Sequence, residues 1–185
     1  MTKERTILLG LGSNIGNKLS YLNQAINIIN SRNLANNIQI SPIYESKALL
    51  IENSPQSWNQ NFFNLCICGT SHLGPHKLLK EIKKIEITIG RQDRGKWSPR
   101  EIDIDILLYN NLEMNSDNLT IPHKHFLERD FTLLPANDLI PNYCYHIKGQ
   151  FYKKSLKEII KMKNIDNSKC WKTNHIFIDK ERQFA

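Results

Sequence analysis

Long apolar runs are missing. No stretch of the 185-residue chain approaches the roughly 20 consecutive apolar residues of a membrane-spanning helix. The first residues are charged and then only briefly apolar, with glycines and no cleavage pattern, so a first strand is expected there and not a leader peptide. Low-complexity tracts are missing too, and the hydrophobic share of 40% is ordinary, which points to a folded soluble domain expected in the cytoplasm. Cysteine is scarce. Of the four, Cys66, Cys68, Cys144 and Cys170, none shows the C-x-x-C spacing of a metal or redox site, so reduced core thiols are expected. Most of the chain also lacks net charge, although the total is +7: residues 1–147 hold 15 Lys/Arg against 14 Asp/Glu, and residues 148–185 hold 10 against 4. A body so close to neutral lacks the concentrated basic face that nucleic-acid binding needs. At this length one domain is expected, over residues 1–165, with 166–185 as a basic C-terminal extension solvated by water.

What is present concentrates between residues 91 and 109, R-Q-D-R-G-K-W-S-P-R-E-I-D-I-D-I-L-L-Y. The first half is cationic, with Arg91, Arg94, Lys96 and Arg100 around Trp97. The second half alternates Ile102, Ile104 and Ile106 with Asp103, Asp105 and Leu107. A strand sends alternate side chains to opposite faces, so the isoleucines bury on one face and the two carboxylates project from the other, about 7 Å apart. Neighbouring carboxylates repel unless a cation lies between them. Mg²⁺ accepts a few carboxylates completed by water and phosphate oxygens, and the arginines upstream suit phosphate. A metal–polyphosphate site and a solvated acidic edge strand both fit this stretch taken alone.

The rest of the chain supplies a frame. Residues 6–11 read as a strand ending in Gly12-Ser13-Asn14, which serves as a plain turn or as a phosphate cradle before a helix. That helix follows from Leu19, Leu22, Ile26 and Ile29. Residues 36–46 read as a second strand, 47–60 as a long loop of the kind that forms lids, and 61–70 as a third strand. Asn64 is an amide in that otherwise apolar run, and it either pairs with backbone or reads a ligand from a cavity. Pro75 opens a second helix with a stripe of Leu78, Leu79, Ile82, Ile85 and Ile89, and Gly90 stops it. A third helix is expected over residues 126–137, burying Leu127, Phe131 and Leu134, with His123 and Arg129 at its anion-favouring start. A fourth is expected over 155–163, and 169–179 as a last strand or ordered extension. His123-x-His125 lacks the partners of a zinc site. Strand–helix–strand–strand–helix–strand is the split βαβ order, giving an α+β, ferredoxin-like sheet whose open face carries both aspartates.

Together, G-S-N at 12–14, F-x-N at 62–64, W-S-P-R-x-I-D-I-D-I-L-L-Y at 97–109, I-P-H at 121–123 and E-R-x-F-x-L-x-P at 128–135 resemble the 6-hydroxymethyl-7,8-dihydropterin pyrophosphokinases of folate biosynthesis, in one collinear order over residues 5–160. The resemblance implies a three-layer α/β/α fold and transfer of the β,γ-diphosphoryl group of ATP to the pterin hydroxymethyl, giving AMP and the pterin diphosphate. It implies two Mg²⁺ ions on Asp103 and Asp105, and Arg91 and Arg100 steadying the transferring group. It implies ATP contacts at Glu86, Arg91, Arg100, Ile106, His123 and Arg129. The pterin would meet Ser46, Leu49, Phe62, Asn64, Trp97 and Phe131. The expected partners are the two substrates, with no nucleic acid and no membrane; a monomer is expected, with fusion to or association with dihydropteroate synthase as a further option. The chain departs from the family pattern at Lys83, where Gln is common, at Lys124, where Tyr is common, at Asn118, where Arg is common, and in a cationic loop one residue shorter. These departures point to altered ATP affinity and lid kinetics. Two rivals remain: a nucleic-acid module using Phe62, Phe63 and the basic tail, and another D-x-D metal-dependent nucleotide transferase. The first conflicts with two carboxylates on the sheet face, and the second usually needs a larger nucleotide domain.

Overall fold

The computed structural model describes residues 4–147, 149–165 and 168–175. Its centre is β1 (Arg5–Ser13), paired antiparallel with β4 (Phe62–Ser71) on one side and β5 (Asp103–Tyr109) on the other. The far edge of β4 carries two short strands in succession, β2 (Asn36–Ile40) and β3 (Tyr44–Ser46). The expectation of one continuous strand over 36–46 is corrected here. Pro42 has no N–H to give a ladder, and Ser41 bridges the break by bonding Cys66 twice: its N–H donates to the Cys66 carbonyl at 3.0 Å and its Oγ accepts from Cys66 N at 2.9 Å. A further strand, β8 (Cys170–Lys172), pairs antiparallel with β3, so the sheet reads β5-β1-β4-β3-β8 with β2 beside β4. That strand lies within residues 169–179, expected as a last strand or ordered extension, and within the 166–185 extension expected to be solvated; residues 176–179 lie outside the described residues. A separate hairpin joins β6 (Met114–Ser116) to β7 (Leu119–Ile121).

Helices α1 (Lys18–Ser31) and α2 (Pro75–Ile89) cover one face of the sheet. Their stripes, Leu22, Ile26 and Ile29 on the first and Leu78, Ile82, Ile85 and Ile89 on the second, pack on Ile7, Leu9, Leu11, Leu65, Ile67, Ile104 and Ile106. Asn17 caps α1 by accepting from Ser20 N, and Gly90 ends α2 in the left-handed region at φ 104°.

The strand–helix order alone leaves the second face open, whereas the resemblance implies a third layer; that layer is present over part of the face. Helices α3 (Asp130–Leu139) and α4 (Leu156–Lys163) bury Leu133, Ala136, Leu156 and Ile159 against Leu8, Cys66 and Leu107, which completes three layers, α/β/α. Ser155 and Glu158 form a capping box at the start of α4. Helix α3 begins later than the periodicity implies: residues 126–128 are turns, and Arg129 at its N-cap is extended. Its buried side is therefore Leu133 and Ala136, while Leu127 buries ahead of the helix and Phe131 turns elsewhere. Pro135 sits inside α3 without ending it.

Candidate active site

The uncovered half of the second face lies where β1, β4 and β5 run past α3. In register, Gly12 stands between Asn64 and Asp103, and Gly10 between Cys66 and Asp105. Two glycines at the middle of the row leave a floor with no side chains. A Cβ at Gly12 would come within 3.1 Å of Asn64 Oδ1 and 3.5 Å of the Phe62 ring, so this position requires a close approach. Above the floor opens a cavity of about 330 Å³. Ser46, Lys47 and Leu49 wall one side, Lys96, Trp97, Ser98 and Arg100 another, and His123, Lys124, His125, Arg129 and Phe131 a third. That size suits a small organic ligand, and the convergent polar groups suit a specific one.

The two aspartates differ sharply. Asp103 Oδ1 accepts from Arg91 Nη1 and its Oδ2 from Arg100 Nη1, both at 2.7 Å. Burial alone would raise its pKa, but Arg100 and Arg91 outweigh it and hold the carboxyl below its usual range. Asp105 has no ion-pair partner among the described residues. Burial, and then the neighbouring Asp103 charge, push its pKa up to about 6. Among the described residues no group of three or more His, Cys, Asp or Glu is placed to hold a metal. The donor set therefore suits a cation that needs only two carboxylates and takes its other oxygens from water and phosphate, as Mg²⁺ does. Asp105 thus faces the cavity with no salt-bridge partner among the described residues, while Lys83 and Arg129 offset part of its charge from a distance.

The walls combine cations with aromatic faces. The Arg129 guanidinium lies 6.0 Å from the Trp97 ring centre and 5.7 Å from that of Phe131. Trp97 is in the left-handed region at φ 66°. His123 has its pKa lowered to about 4, by burial first and then by Arg129, so the ring is neutral at pH 7. The backbone N–H of His125 donates to His123 Nδ1 at 3.3 Å, which leaves the ring proton on Nε2 as a free donor. Across the floor, Asn64 Nδ2 donates to Ser46 Oγ at 2.9 Å. The amide thus pairs through Nδ2 with a side chain and not with backbone, and it lies in the cavity wall.

Of the expected site residues, Ser46, Leu49, Phe62, Asn64, Trp97, Arg100, Asp103, Asp105, His123, Arg129 and Phe131 line this one cavity. Three do not. The Ile106 side chain belongs to the core under α1 and α2, on the opposite face from the aspartates. Glu86 is 3% exposed and fully engaged: both its oxygens accept from Lys83 Nζ, at 2.9 and 3.0 Å, Oε2 lies 2.7 Å from Arg91 Nη1, and Oε1 accepts from Ile104 N at 2.7 Å. Arg91 is the bridge between that buried carboxylate and Asp103. Glu86 thus fixes the aspartate strand and its arginine from behind. The Gly-Ser-Asn turn, open between cradle and plain turn, serves neither as such. Asn14 Oδ1 accepts from Arg100 N at 2.7 Å, its own N–H donates to the Arg100 carbonyl at 3.1 Å, and Nδ2 donates to the Gln60 carbonyl at 3.2 Å, so it ties the ends of both long loops to β1. Arg94 also leaves the expected phosphate group: it pairs with Glu101 at 2.5 Å. Asn118 lies in the β6–β7 turn and is not in the cavity wall.

A family model described as 7,8-dihydro-6-hydroxymethylpterin-pyrophosphokinase matches residues 8–141. The chain belongs to this family. Among curated pyrophosphokinase relatives, the 2-amino-4-hydroxy-6-hydroxymethyldihydropteridine pyrophosphokinase of Aquifex aeolicus is 41% identical over 153 residues, covering 83% of this chain and 89% of the relative. The folate synthesis bifunctional protein of Chlamydia muridarum is 40% identical over 154 residues, covering 82% of this chain but 34% of the relative. A crystal structure of HPPK-DHPS in complex with substrates matches with a TM-score of 0.66 at 15% identity, over 92% of this chain and 47% of that one. At such identity the match shows the fold alone. The chain spans about a third of the bifunctional relative and about half of the solved chain. No helix among the described residues is long and apolar enough to cross a membrane.

Proposed function

We propose that this chain transfers the β,γ-diphosphoryl group of ATP to the hydroxymethyl oxygen of 6-hydroxymethyl-7,8-dihydropterin, releasing AMP. The observation that carries the proposal is the unpartnered Asp105 beside arginine-bound Asp103 on the floor of a cavity walled by aromatic and cationic side chains. Family membership supports the same reading. Asp103 and Asp105 would hold Mg²⁺, expected as two ions, which would supply charge neutralisation to the polyphosphate.

The protein's own groups do the rest. Arg100 lines the cavity beside Asp103 and steadies the transferring group there, and Arg91, outside the cavity wall, holds the same carboxylate from behind and adds its charge. His123 donates from Nε2 to a phosphate oxygen as a neutral ring, and Arg129 adds charge beside it. On the other side, the Asn64 amide, fixed by Ser46, reads the polar edge of the pterin, and Phe131 and Trp97 cover its ring. Leu49 and Phe62 close the slot. Diphosphoryl transfer needs in-line placement and exclusion of competing water more than covalent help. The loops over residues 47–60 and 91–99, both tethered by Asn14, are placed to exclude it. Lys83 and Lys124 tune ATP affinity, Lys83 by neutralising Glu86 and Lys124 from the cavity wall. Downstream fusion to a second folate enzyme is a partner arrangement that the bifunctional relatives suggest.

The test is nucleotide release in the presence of ATP, Mg²⁺ and the reduced pterin alcohol. AMP formed in step with pterin diphosphate supports the proposal. ADP release, or AMP release independent of the pterin, contradicts it.

A further inference from the structure

Residues 142–175 lie beyond the part of the chain that the family model matches, yet one piece of them is built into the substrate side of the sheet. Strand β3 is only three residues long and is followed by the long loop over 47–60. A strand so short, left at an edge, has little to keep its register. Here β8 supplies its second ladder, pairing Tyr44 with Lys172, Glu45 with Trp171 and Ser46 with Cys170. Both ends are pinned: Lys47 N donates to the Lys169 carbonyl at 3.2 Å, and Thr173 donates to the Ile43 carbonyl through its N–H at 2.9 Å and its hydroxyl at 3.0 Å. Cys170 is 1% exposed. A second tie runs to α3, where Asp138 accepts from Tyr44 OH at 2.8 Å and pairs with Lys172 Nζ at 3.3 Å.

These contacts converge on the pterin side of the cavity. Ser46, which β8 holds in register, is the residue whose hydroxyl fixes the Asn64 amide. Lys47, pinned by Lys169, lines the cavity, as does Phe131 of α3, the helix tied through Asp138. The aspartates are at the other end of the sheet, on β5, with their arginines in the loop just before it and β1, β4 and β3 between β5 and β8. We infer that β8 is a positioning element for pterin binding: it holds β3 and the start of the following loop in the register that presents Ser46, Asn64 and Lys47 to the ligand. The inference rests on the proposed function, in which that side of the cavity takes the pterin. It gives the C-terminal segment a role in substrate selection and makes pterin affinity depend on how the downstream chain is held.

The experiment uses the full chain. Thr173→Pro removes both bonds to Ile43 while leaving Lys172 in the extended conformation that a residue before proline favours. Thr173→Val removes only the hydroxyl. Thr173→Pro is expected to raise KM for the pterin about fivefold, as the loss of roughly 1 kcal/mol of hydrogen bonding implies. KM for ATP should stay near wild type, the thermal midpoint should fall by no more than a few degrees, and Thr173→Val should behave close to wild type. A pterin KM for Thr173→Pro within twofold of wild type overturns the inference. So does a parallel rise in both KM values with a fall in thermal midpoint, which would mean a structural role only. If Thr173→Pro fails to fold, Lys172→Met replaces it, loosening the Asp138 tie with the ladder intact; an unchanged pterin KM there overturns the inference, and a selective rise supports it. A wild-type chain that releases no pterin-dependent AMP overturns the proposed function itself, whereas an active wild type beside unchanged variants overturns only the positioning role.

Discussion

The two halves of one sheet face make the most informative comparison in this protein. Both are built from the same strands, β1, β4 and β5, with the same alternation. Under α3 and α4 the upward-facing residues are Leu8, Cys66 and Leu107, and they are buried. One or two steps along each strand the upward-facing positions become Gly10 and Gly12, Asn64, and Asp105 and Asp103, and the helices stop covering them. Apolar area removed from water stabilises the covered half, at roughly 25 cal/mol per Å². In the open half a carboxylate with a pKa near 6 and glycines in mid-strand each cost stability. Such a cost persists where a ligand makes use of it, and the division marks where the fold ends and the site begins.

Asp103→Asn should have the largest effect, because this residue serves both purposes. Turnover should fall on the order of 10³-fold, and stability should fall by about 2 kcal/mol as Arg91 and Arg100 lose their partner, an effect reduced by partial exposure. AMP release and a denaturant melt measure the two. A stable but inactive variant would show that the arginine pairing adds nothing to the fold. On the covered half, Leu107→Ala should cost about 3 kcal/mol by leaving a cavity, with both KM values unchanged. A KM shift without destabilisation would break the division.

The pH dependence is a third probe. Asp105 has a folded pKa of about 6, above its ordinary value, so without a cation it is protonated below that pH. A bound cation must then displace the proton, and the Mg²⁺ concentration for half-maximal activity should rise on the order of tenfold between pH 7 and pH 5. In the metal-free protein the sign reverses: a raised carboxyl pKa means that Asp105 gains stability as pH falls through about 6, while Asp103, with its lowered pKa, loses it at lower pH still. A Mg²⁺ requirement flat over this range would contradict the assignment of Asp105. The smallest effect is expected from Gly12→Ala. Its Cβ would crowd Asn64 Oδ1 at 3.1 Å, so the pterin KM should rise a few-fold, with less than about 1 kcal/mol of stability lost. An unchanged pterin KM would remove the close-approach argument.

Much of this division was legible in the sequence. The Ile-Asp alternation at 102–107 and the lone amide Asn64 in an apolar run both announce a strand with one buried face and one working face. The same alternation excludes Ile106 from the cavity, since it shares the face of Ile104. The break at Pro42 was also visible in principle, because proline within a strand run argues for an interruption. Three things were not legible, and all are non-local. Whether Glu86 meets ligand or protein depends on Lys83 and Arg91 being brought to it from the helix and the loop after it. Whether α3 covers the whole face depends on where residues 126–128 turn. And the place of β8 in the sheet depends on β3 presenting an edge for it, so a last strand could be expected over 169–179 but its partner appears only once the sheet is assembled.

The most direct test of the account compares wild type with Asp105→Asn in two readings, Mg²⁺-dependent AMP release and the thermal midpoint without metal at pH 7. The open half is held to trade stability for cation binding, so the variant should lose AMP release on the order of 10³-fold while its thermal midpoint stays level or rises by a few degrees, as about 1 kcal/mol of relief implies. Near wild-type AMP release, or a lowered midpoint, would contradict it.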